Sequence, residues 1–390
     1  MEAFTIATTP LLHFGTGKIS ALPGIVKSFG SSILLVTGRQ SFFSSEHGQN
    51  LLEQLNALSL TVHHYSVNHE PSPIVVDTAV LKFSPHAPDI VVAIGGGSVL
   101  DAGKAISAML PLNESVKDYL EGFGAKKTHP GTKVPFLAVP TTSGTGSEAT
   151  KNAVLSDVGT YGYKKSLRHN NFVPNIAIVD PALAIGCPPV VTATSGMDAF
   201  TQLLESYLST AGNPITDALA YEGLTLISTS LIKAYQDGSN MDARTGMALS
   251  SYISGITLAN AGLGLVHGFA SSIGGFYNIP HGVICSTLMA ASNKIAVRKL
   301  RQRGDPGRAL MRYGRIGKIF AGLEGKSNEY YTDFLIWLME RWAVEMDIPA
   351  LSMYGISSSD FEKIVNATDN KYNPVALDKD ELIEVLSIAH

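Results

Sequence analysis

Two histidines, an aspartate and a glutamine have the residue types and spacing to hold a divalent metal ion. His267 and His281 fall within one short stretch, and each precedes a glycine. Asp198 and Gln202 are four residues apart, so on a helix they share a face. One carboxylate and two imidazoles suit a divalent first-row metal, with the Gln202 oxygen as a weak, neutral fourth ligand. The alternative is that these are unrelated structural histidines.

The chain between the two histidines must break any helix, because Gly274, Gly275 and Pro280 separate them. A helix carrying His267 is predicted to end near the two glycines, and a second helix to begin near the proline. The chain then folds back and brings both imidazoles to one point. If no metal binds there, His267 and His281 could instead donate hydrogen bonds to a developing oxyanion, or one could act as a general acid.

A glycine-rich turn in the first half of the chain predicts a phosphate-binding site. A buried strand is predicted over 89–94 and a helix from about Val99. The residues of the turn between them are Gly95, Gly96, Gly97 and Ser98. This order of strand, turn and helix directs backbone N–H groups and the positive end of the helix dipole at a phosphate. Leu100 departs from the G-x-G-x-x-G fingerprint, and a structural glycine turn is the alternative.

A second polar turn, residues 140–148, follows another predicted buried strand. Its hydroxyl-bearing candidates for cofactor binding are Thr141, Thr142, Thr145 and Ser147. Hydroxyls can hydrogen-bond ribose, phosphate and the nicotinamide amide, and the glycines among them let the backbone approach closely. Together the two turns indicate a dinucleotide site.

The predicted secondary structure changes along the chain from alternating strands and helices to helices alone. Strands are predicted at 33–37, 61–66, 89–94, 135–139 and 175–180, with helices between them at 47–58, 74–83 and 99–110. Long helices are predicted after them at 193–209, 214–237, 243–261 and 330–346. We therefore expect an α/β, Rossmann-like dinucleotide-binding domain over 1–183 and an all-helical metal and substrate domain over 184–390.

Composition excludes several classes of protein. The chain has 390 residues, of which 45% are hydrophobic and 16% charged, as in a compact enzyme. A net charge of −4 predicts neither nucleic-acid nor membrane binding. The two cysteines, Cys187 and Cys285, are far apart, which predicts no disulfide framework and no thiolate zinc site. With no signal sequence or membrane-spanning run, a cytoplasmic location is expected.

The ordered motifs resemble those of the iron-containing (group III) alcohol dehydrogenase family, over nearly the whole chain. The matching motifs are G-G-G-S-V-L-D-A-G-K-A at 95–105, P-T-T-S-G-T-G-S-E at 140–148, K-K at 164–165, P-N-I-A-I-V-D-P at 174–181, G-M-D-A at 196–199, H-G at 267–268, P-H-G at 280–282 and N-P at 373–374. The resemblance implies a dinucleotide-binding domain, a helical domain, and metal and substrate in the cleft between them.

The family's metal ligands, an aspartate and three histidines, match Asp198, His267 and His281. The position of the third histidine is Gln202, so the chain resembles an atypical member in which Fe²⁺ or Zn²⁺ is weakly held or absent. A further active-site histidine of the family is Ser271 here. We take His267, His281 and Ser271 as candidate catalytic residues.

The resemblance also implies cofactor contacts. Asp101 lies in the first glycine-rich motif, and Lys164 matches a family lysine at the ribose. NAD-preferring members carry an aspartate where this chain has Gly38, and Arg39 could pair with a 2′-phosphate. NADP(H) is therefore expected over NAD(H), and the alternative is that Arg39 is a surface residue of an enzyme indifferent between the two.

The resemblance implies an NAD(P)-dependent alcohol dehydrogenase that transfers hydride between nicotinamide and a small alcohol or aldehyde. It also implies a homodimer or larger oligomer. Three alternatives remain at this point. They are a metal-independent maleylacetate reductase-like enzyme, a dehydroquinate synthase-like lyase, and a non-catalytic cofactor-binding member.

Overall fold

The computed structural model describes residues 3–39, 42–305 and 308–390. The chain forms two compact units. The first comprises Ile6–Asp157 and Lys164–Cys187, and the second comprises Pro188–His390 with Val158–Tyr163 and the described N-terminal residues up to Thr5. Each unit has a core of its own. Strand residues and the first helices build that of the first unit, and the long helices build that of the second.

The strands alternate with helices in the first part of the chain. They are β1 Leu11–Phe14, β2 Ser32–Gly38, β3 Thr61–Val67, β4 Ile90–Gly95, β5 Phe136–Pro140, β6 Asn152–Asp157, β7 Tyr163–Arg168 and β8 Ile176–Val179. Within the described residues, six of them form one parallel sheet in the order β1-β8-β5-β4-β2-β3. β4 is buried along its whole length, as its unbroken apolar sequence requires between two covered faces.

The strand order reverses between β2 and β4. The chain passes from β2 outward to β3 and returns to β4 on the other side of β2. Because parallel strands end at the same edge, Gly38 at the end of β2 lies on the same edge as Gly95 at the end of β4. Ligands of doubly wound sheets bind at such a switch point.

Within the described residues, the sheet-containing unit has four α-helices: α1 Leu22–Lys27, α2 Glu46–Ala57, α3 Pro73–Phe83 and α4 Gly97–Met109. Local chemistry fixes where they begin. Ser45 caps α2 by accepting a hydrogen bond from the Gly48 amide, and Ser72 caps α3, with Pro73 as its first residue. Gly96 precedes α4 and has no side chain, so the first amides of this helix stay open towards the turn.

The helical unit supplies the elements that carry the predicted metal ligands. Its helices are α5 Pro189–Leu208, α6 Pro214–Gln236, α7 Met241–Ala261, α8 Leu265–Phe276, α9 His281–Arg303, α10 Ala309–Ala321, α11 Asn328–Glu345, α12 Phe361–Ala367 and α13 Lys379–Ala389. α5 lies in the interior, buried almost without interruption from Thr192 onward. Polar groups along α5 therefore face other protein groups rather than bulk water.

The predicted fold class is confirmed: a parallel α/β sheet comes first and a helical region follows. Among the strands, the edge strand β1 and the pair β6 and β7 were missed, and among the helices α1, α12 and α13 were missed. β7 has the polar sequence Y-K-K-S-L-R, which lacks the β-branched residues that marked the other strands. Among the described residues, no single helix is long and apolar enough to cross a membrane; α7 and α8 together meet that criterion but are bent by 95°.

Candidate active site

Four side chains from three helices of the second unit converge. Asp198 comes from α5, His267 from α8, and His281 and Cys285 from α9. Their potential ligand atoms all lie within 4.8 Å of one another. Asp198 Oδ1 is 3.3 Å from His267 Nε2 and 3.7 Å from His281 Nε2. Cys285 Sγ is 3.7 Å from Nε2 of each histidine. We call these four residues the acid–imidazole–thiol cluster.

The predicted break between the histidines is present. α8 ends at Phe276, just after the two glycines, and α9 begins at His281 directly after Pro280. The glycines that follow the histidines permit close backbone packing. A Cβ on Gly268 would overlap the Asp369 carbonyl oxygen, and one on Gly282 would lie 2.7 Å from the Thr194 carbonyl oxygen. Each H-G pair thus places a histidine where its helix touches another backbone.

A buried carboxylate orients His267. Glu205, two turns after Asp198 on α5, has Oε2 2.7 Å from His267 Nδ1. Its other oxygen accepts a hydrogen bond from the Val266 amide at 2.7 Å. A carboxylate only accepts, so Nδ1 carries the proton and Nε2 is the nitrogen that faces Asp198. Carboxylates behind ligand histidines fix the tautomer and the ring orientation in this way.

Gln202 supports Asp198 rather than pointing its oxygen at the cluster. Its Nε2 donates to Asp198 Oδ2 at 3.3 Å, and its Oε1 accepts from Ser254 Oγ at 2.9 Å. The nitrogen must face the aspartate, because an ionised carboxylate has no proton to donate. Asp198 Oδ1, by contrast, is buried without a hydrogen-bond partner among the described residues. This oxygen is directed at both histidines.

The charges of the cluster are strongly coupled. Burial acts to raise the pKa of Asp198, but His281 and His267 outweigh it and hold that pKa below its usual value. Burial acts to lower the pKa of His267, but Cys285 and Glu205 raise it well above its usual value. Burial raises the pKa of Cys285 to about 12. A cation entering the cluster therefore replaces protons that otherwise balance the carboxylates.

Ser271 lies one turn after His267 on α8. Its Oγ donates to the His267 carbonyl oxygen at 2.9 Å. The ammonium group of Lys371 donates to the same carbonyl at 2.9 Å and lies 3.5 Å from Ser271 Oγ. The structure thus places a cation beside Ser271 that the sequence did not indicate.

In the first unit, the two predicted cofactor turns lie against each other. Gly95 and Pro140 are paired at the ends of neighbouring strands, and the Thr141 amide donates to the Gly95 carbonyl at 3.0 Å. A Cβ on Gly97 would lie 2.5 Å from Thr145 Cγ2. One on Gly96 would lie 3.3 Å from the hydroxyl oxygen of Thr142. Because Gly96 and Gly97 have no side chains, the threonines of the second turn can pack beside the start of α4. Ser98 belongs to the first turn of this helix.

A buried lysine ties the second turn to α4. Lys104 donates to the Ser147 carbonyl at 2.7 Å, to Thr150 Oγ1 at 2.6 Å and to the Asn152 carbonyl at 2.8 Å. Asp101 accepts from the Ser147 hydroxyl and from the Val154 amide. The predicted cofactor contacts Asp101 and Ser147 are therefore hydrogen-bonded to each other, an arrangement that shapes the turn. Burial lowers the pKa of Lys104 to about 8.

The remaining predicted cofactor residues lie at the edges of this region. Gly38 ends β2 in register with Val67, and Arg39, which follows it, is exposed. Lys164 on β7 is largely buried, with its ammonium group 2.6 Å from Glu70 Oε2. This ion pair holds Lys164 in place.

Four residues of these sites were missed from the sequence: Cys285, Glu205, Lys104 and Lys371. Two of them had a helical signal. Cys285 is four residues after His281, and Glu205 is seven after Asp198, so each shares a face with a candidate ligand. The spacing between cysteines does not indicate Cys285, because its neighbours in the cluster are histidines and an aspartate.

Comparison with known families covers nearly the whole chain. The family model described as "Iron-containing alcohol dehydrogenase" matches residues 10–181, and the model described as "Fe-containing alcohol dehydrogenase family, C-terminal" matches residues 192–390. The chain belongs to the iron-containing alcohol dehydrogenase family. The resemblance stated from the motifs is thereby confirmed.

Three relatives align with this chain over nearly their full lengths. "Alcohol dehydrogenase 4" of Saccharomyces cerevisiae (strain YJM789) is 32% identical over 391 residues, which cover 98% of this chain and 97% of the relative. "NADPH-dependent butanol dehydrogenase" of Clostridium saccharobutylicum is 30% identical over 390 residues, 97% and 96% of the two chains. A solved structure of 1,3-propanediol oxidoreductase is 28% identical with a TM-score of 0.88, and the match covers 100% of both chains.

This member of the iron-containing alcohol dehydrogenase family is therefore an NAD(P)-dependent oxidoreductase that acts on CH–OH groups. The comparisons favour this activity over a maleylacetate reductase-like enzyme, a dehydroquinate synthase-like lyase or a non-catalytic member.

Proposed function

We propose that this enzyme interconverts small alcohols and aldehydes with NADP(H), at a divalent metal held by Asp198, His267 and His281. The convergence of these three side chains from three helices carries the proposal. The donor set fits such an ion, because a buried carboxylate oxygen and two imidazole nitrogens face one another.

The residues of the cluster have distinct tasks. Asp198 supplies the negative charge, and Gln202 donates a hydrogen bond to its second oxygen, Oδ2. Glu205 accepts the hydrogen bond from Nδ1–H of His267, so Nε2 is the nitrogen aimed at Asp198 and the one that would hold the ion. The His281 side chain is 24% exposed, whereas the Asp198 side chain is 1% exposed, so a substrate reaches the cluster on the His281 side. When bound, the ion would polarise the substrate oxygen while the nicotinamide exchanges hydride with the carbon.

We assign the cofactor to the first unit. The turn Gly95, Gly96, Gly97 and Ser98 offers the open amides of α4 to the pyrophosphate, and the threonines of the second turn offer hydroxyls beside it. Gly38 brings no carboxylate to the end of β2, and the guanidinium of the exposed Arg39 can pair with a 2′-phosphate. These two residues support NADP(H) over NAD(H).

The division into a cofactor domain at 1–183 and a metal and substrate domain at 184–390 belongs to the same proposal. So do a cytoplasmic location and assembly into a homodimer or a larger homo-oligomer. Size-exclusion chromatography with light scattering measures the assembly directly.

The decisive test combines metal removal with a choice of cofactor. Aldehyde reduction is measured with NADPH and with NADH, before and after complete removal of metal by a chelator, and after adding back Zn²⁺ or Fe²⁺. We expect activity to fall at least about 100-fold without metal and to return with it. NADPH should give the higher kcat/KM. Full activity in the metal-free protein would overturn the metal assignment, and a higher efficiency with NADH would overturn the cofactor assignment.

A further inference from the structure

We infer that Cys285 is the fourth protein ligand of this metal, completing with Asp198, His267 and His281 a site that favours zinc over iron. The inference rests on the proposed function and sharpens it, because it replaces Gln202, the fourth ligand predicted from the sequence, by a thiolate. The preference for zinc is then derived from the ligands present in this chain and not from the metal in the family's name.

The separations within the acid–imidazole–thiol cluster match a tetrahedron. Bonds of about 2.0 to 2.3 Å from zinc to nitrogen, oxygen and sulfur place neighbouring ligand atoms roughly 3.3 to 3.6 Å apart. The two histidine nitrogens lie 3.3 Å and 3.7 Å from Asp198 Oδ1. Cys285 Sγ lies 3.7 Å from both nitrogens. Four edges of the tetrahedron are therefore within a few tenths of an ångström of a bound geometry. The substrate oxygen would join such an ion as a fifth ligand, an expansion that catalytic zinc sites undergo.

Gln202 has no free atom that could serve as the fourth metal ligand. Its amide nitrogen is committed to Asp198 Oδ2, and its oxygen accepts from Ser254 on α7. Turning the amide over would set its oxygen against a carboxylate oxygen, which is repulsive. Cys285 and His281 are four residues apart on α9, so their side chains point from the same face into the cluster.

Charge and ligand softness favour the same ion. Asp198 and a Cys285 thiolate together balance a divalent cation, which matters because both side chains are almost completely buried. Sulfur ligands select zinc over harder ions, and zinc also binds more tightly than ferrous iron in the general order of divalent metals. As the metal–sulfur bond forms, the thiol releases its proton to solvent.

The test is spectroscopic and needs no turnover. Metal-free enzyme is titrated with Co²⁺, and a thiolate ligand produces an intense near-ultraviolet charge-transfer band. We expect that band in the wild-type protein and in Cys187→Ser, which is the matched control, and its loss in Cys285→Ser. Zn²⁺ affinity, measured by competition with a chelating dye, should fall at least about 100-fold in Cys285→Ser, and the preference for Zn²⁺ over Fe²⁺ should fall with it.

The outcomes separate this inference from the proposed function. Wild-type protein that binds Co²⁺ without the band overturns the role of Cys285 and leaves a metal-dependent dehydrogenase intact. Wild-type protein that binds no divalent ion overturns both. The wild-type spectrum alone distinguishes these outcomes, so the test remains valid even if Cys285→Ser fails to fold. Cys285→Ala provides a second variant.

Discussion

At the scale of single residues, the candidate site depends on groups that contact no ligand themselves. His267 can offer Nε2 because Glu205 accepts the hydrogen bond from the protonated Nδ1, and Asp198 can offer Oδ1 because Gln202 donates to Oδ2. Both supporting groups lie on α5 with Asp198, at spacings of four and seven residues. One helix face thus supplies one proposed ligand and fixes the geometry of another.

The glutamate behind His267 gives the first residue-scale prediction. In Glu205→Gln the side-chain oxygen can still accept from the Val266 amide, but the amide nitrogen then donates to Nδ1 and drives the proton to Nε2. We expect Zn²⁺ affinity to fall about 10- to 100-fold with little change in fold. Dye competition measures the affinity, and circular dichroism checks the fold.

Glu222→Gln on the exposed side of α6 is the matched control, since it removes the same charge away from the cluster. Equal Zn²⁺ affinity in Glu205→Gln and Glu222→Gln would show that the carboxylate does not set the tautomer of His267.

At the scale of elements, glycines decide how closely the ligand helices approach. Gly282, one residue after His281, packs against the backbone of α5 at Thr194, only four residues before Asp198. The same contact therefore sets the distance between the two ligand-bearing helices. This explains why a histidine followed by glycine recurs in the chain: the first residue carries the chemistry and the second permits the approach.

Gly282→Ala should push α9 away from α5, because its Cβ would lie 2.7 Å from a carbonyl oxygen that cannot move independently of its helix. We expect a stability loss of about 1 to 3 kcal/mol and a fall in Zn²⁺ affinity of at least about 10-fold. Urea unfolding and dye competition measure the two effects. Gly24→Ala in α1 is the control, since nothing lies within 4 Å of its added Cβ. A Gly282→Ala protein that binds zinc like the wild type would refute this account.

Secondary-structure elements were easier to predict from the sequence than the contacts between them. Apolar runs and helical periodicity predicted the central strands and the break between α8 and α9, because Gly274, Gly275 and Pro280 act locally. The partners of those residues were less predictable. Cys285 and Glu205 matter through contacts across helices, and one sequence shows only that they share a face with His281 or Asp198. Sheet order was equally hidden, since it depends on pairing between distant segments.

At the scale of the whole molecule, stability is a small difference between large terms, and a few buried ionisable groups change it with pH. Glu148, at the end of the second cofactor turn, is such a group. Its side chain is buried, and among the described residues its Oε1 has no hydrogen-bond partner. Burial raises the pKa of Glu148 from 4.5 to about 7. The folded protein therefore binds a proton at pH values where the unfolded chain has already released it.

Between pH 4.5 and about 7, Glu148 should make the folded protein progressively less stable as the pH rises, because burying the charged form costs more than burying the acid. Over that window the loss amounts to about 3 kcal/mol. Glu148→Gln should remove this dependence, so the free energy of unfolding of the variant relative to wild type should increase by that amount from pH 4.5 to pH 8. Urea unfolding at each pH measures it, with the exposed Glu53→Gln as the control for removing a charge. A difference between Glu148→Gln and wild type that stays constant across the window would show that the pKa of Glu148 is not raised in the folded enzyme.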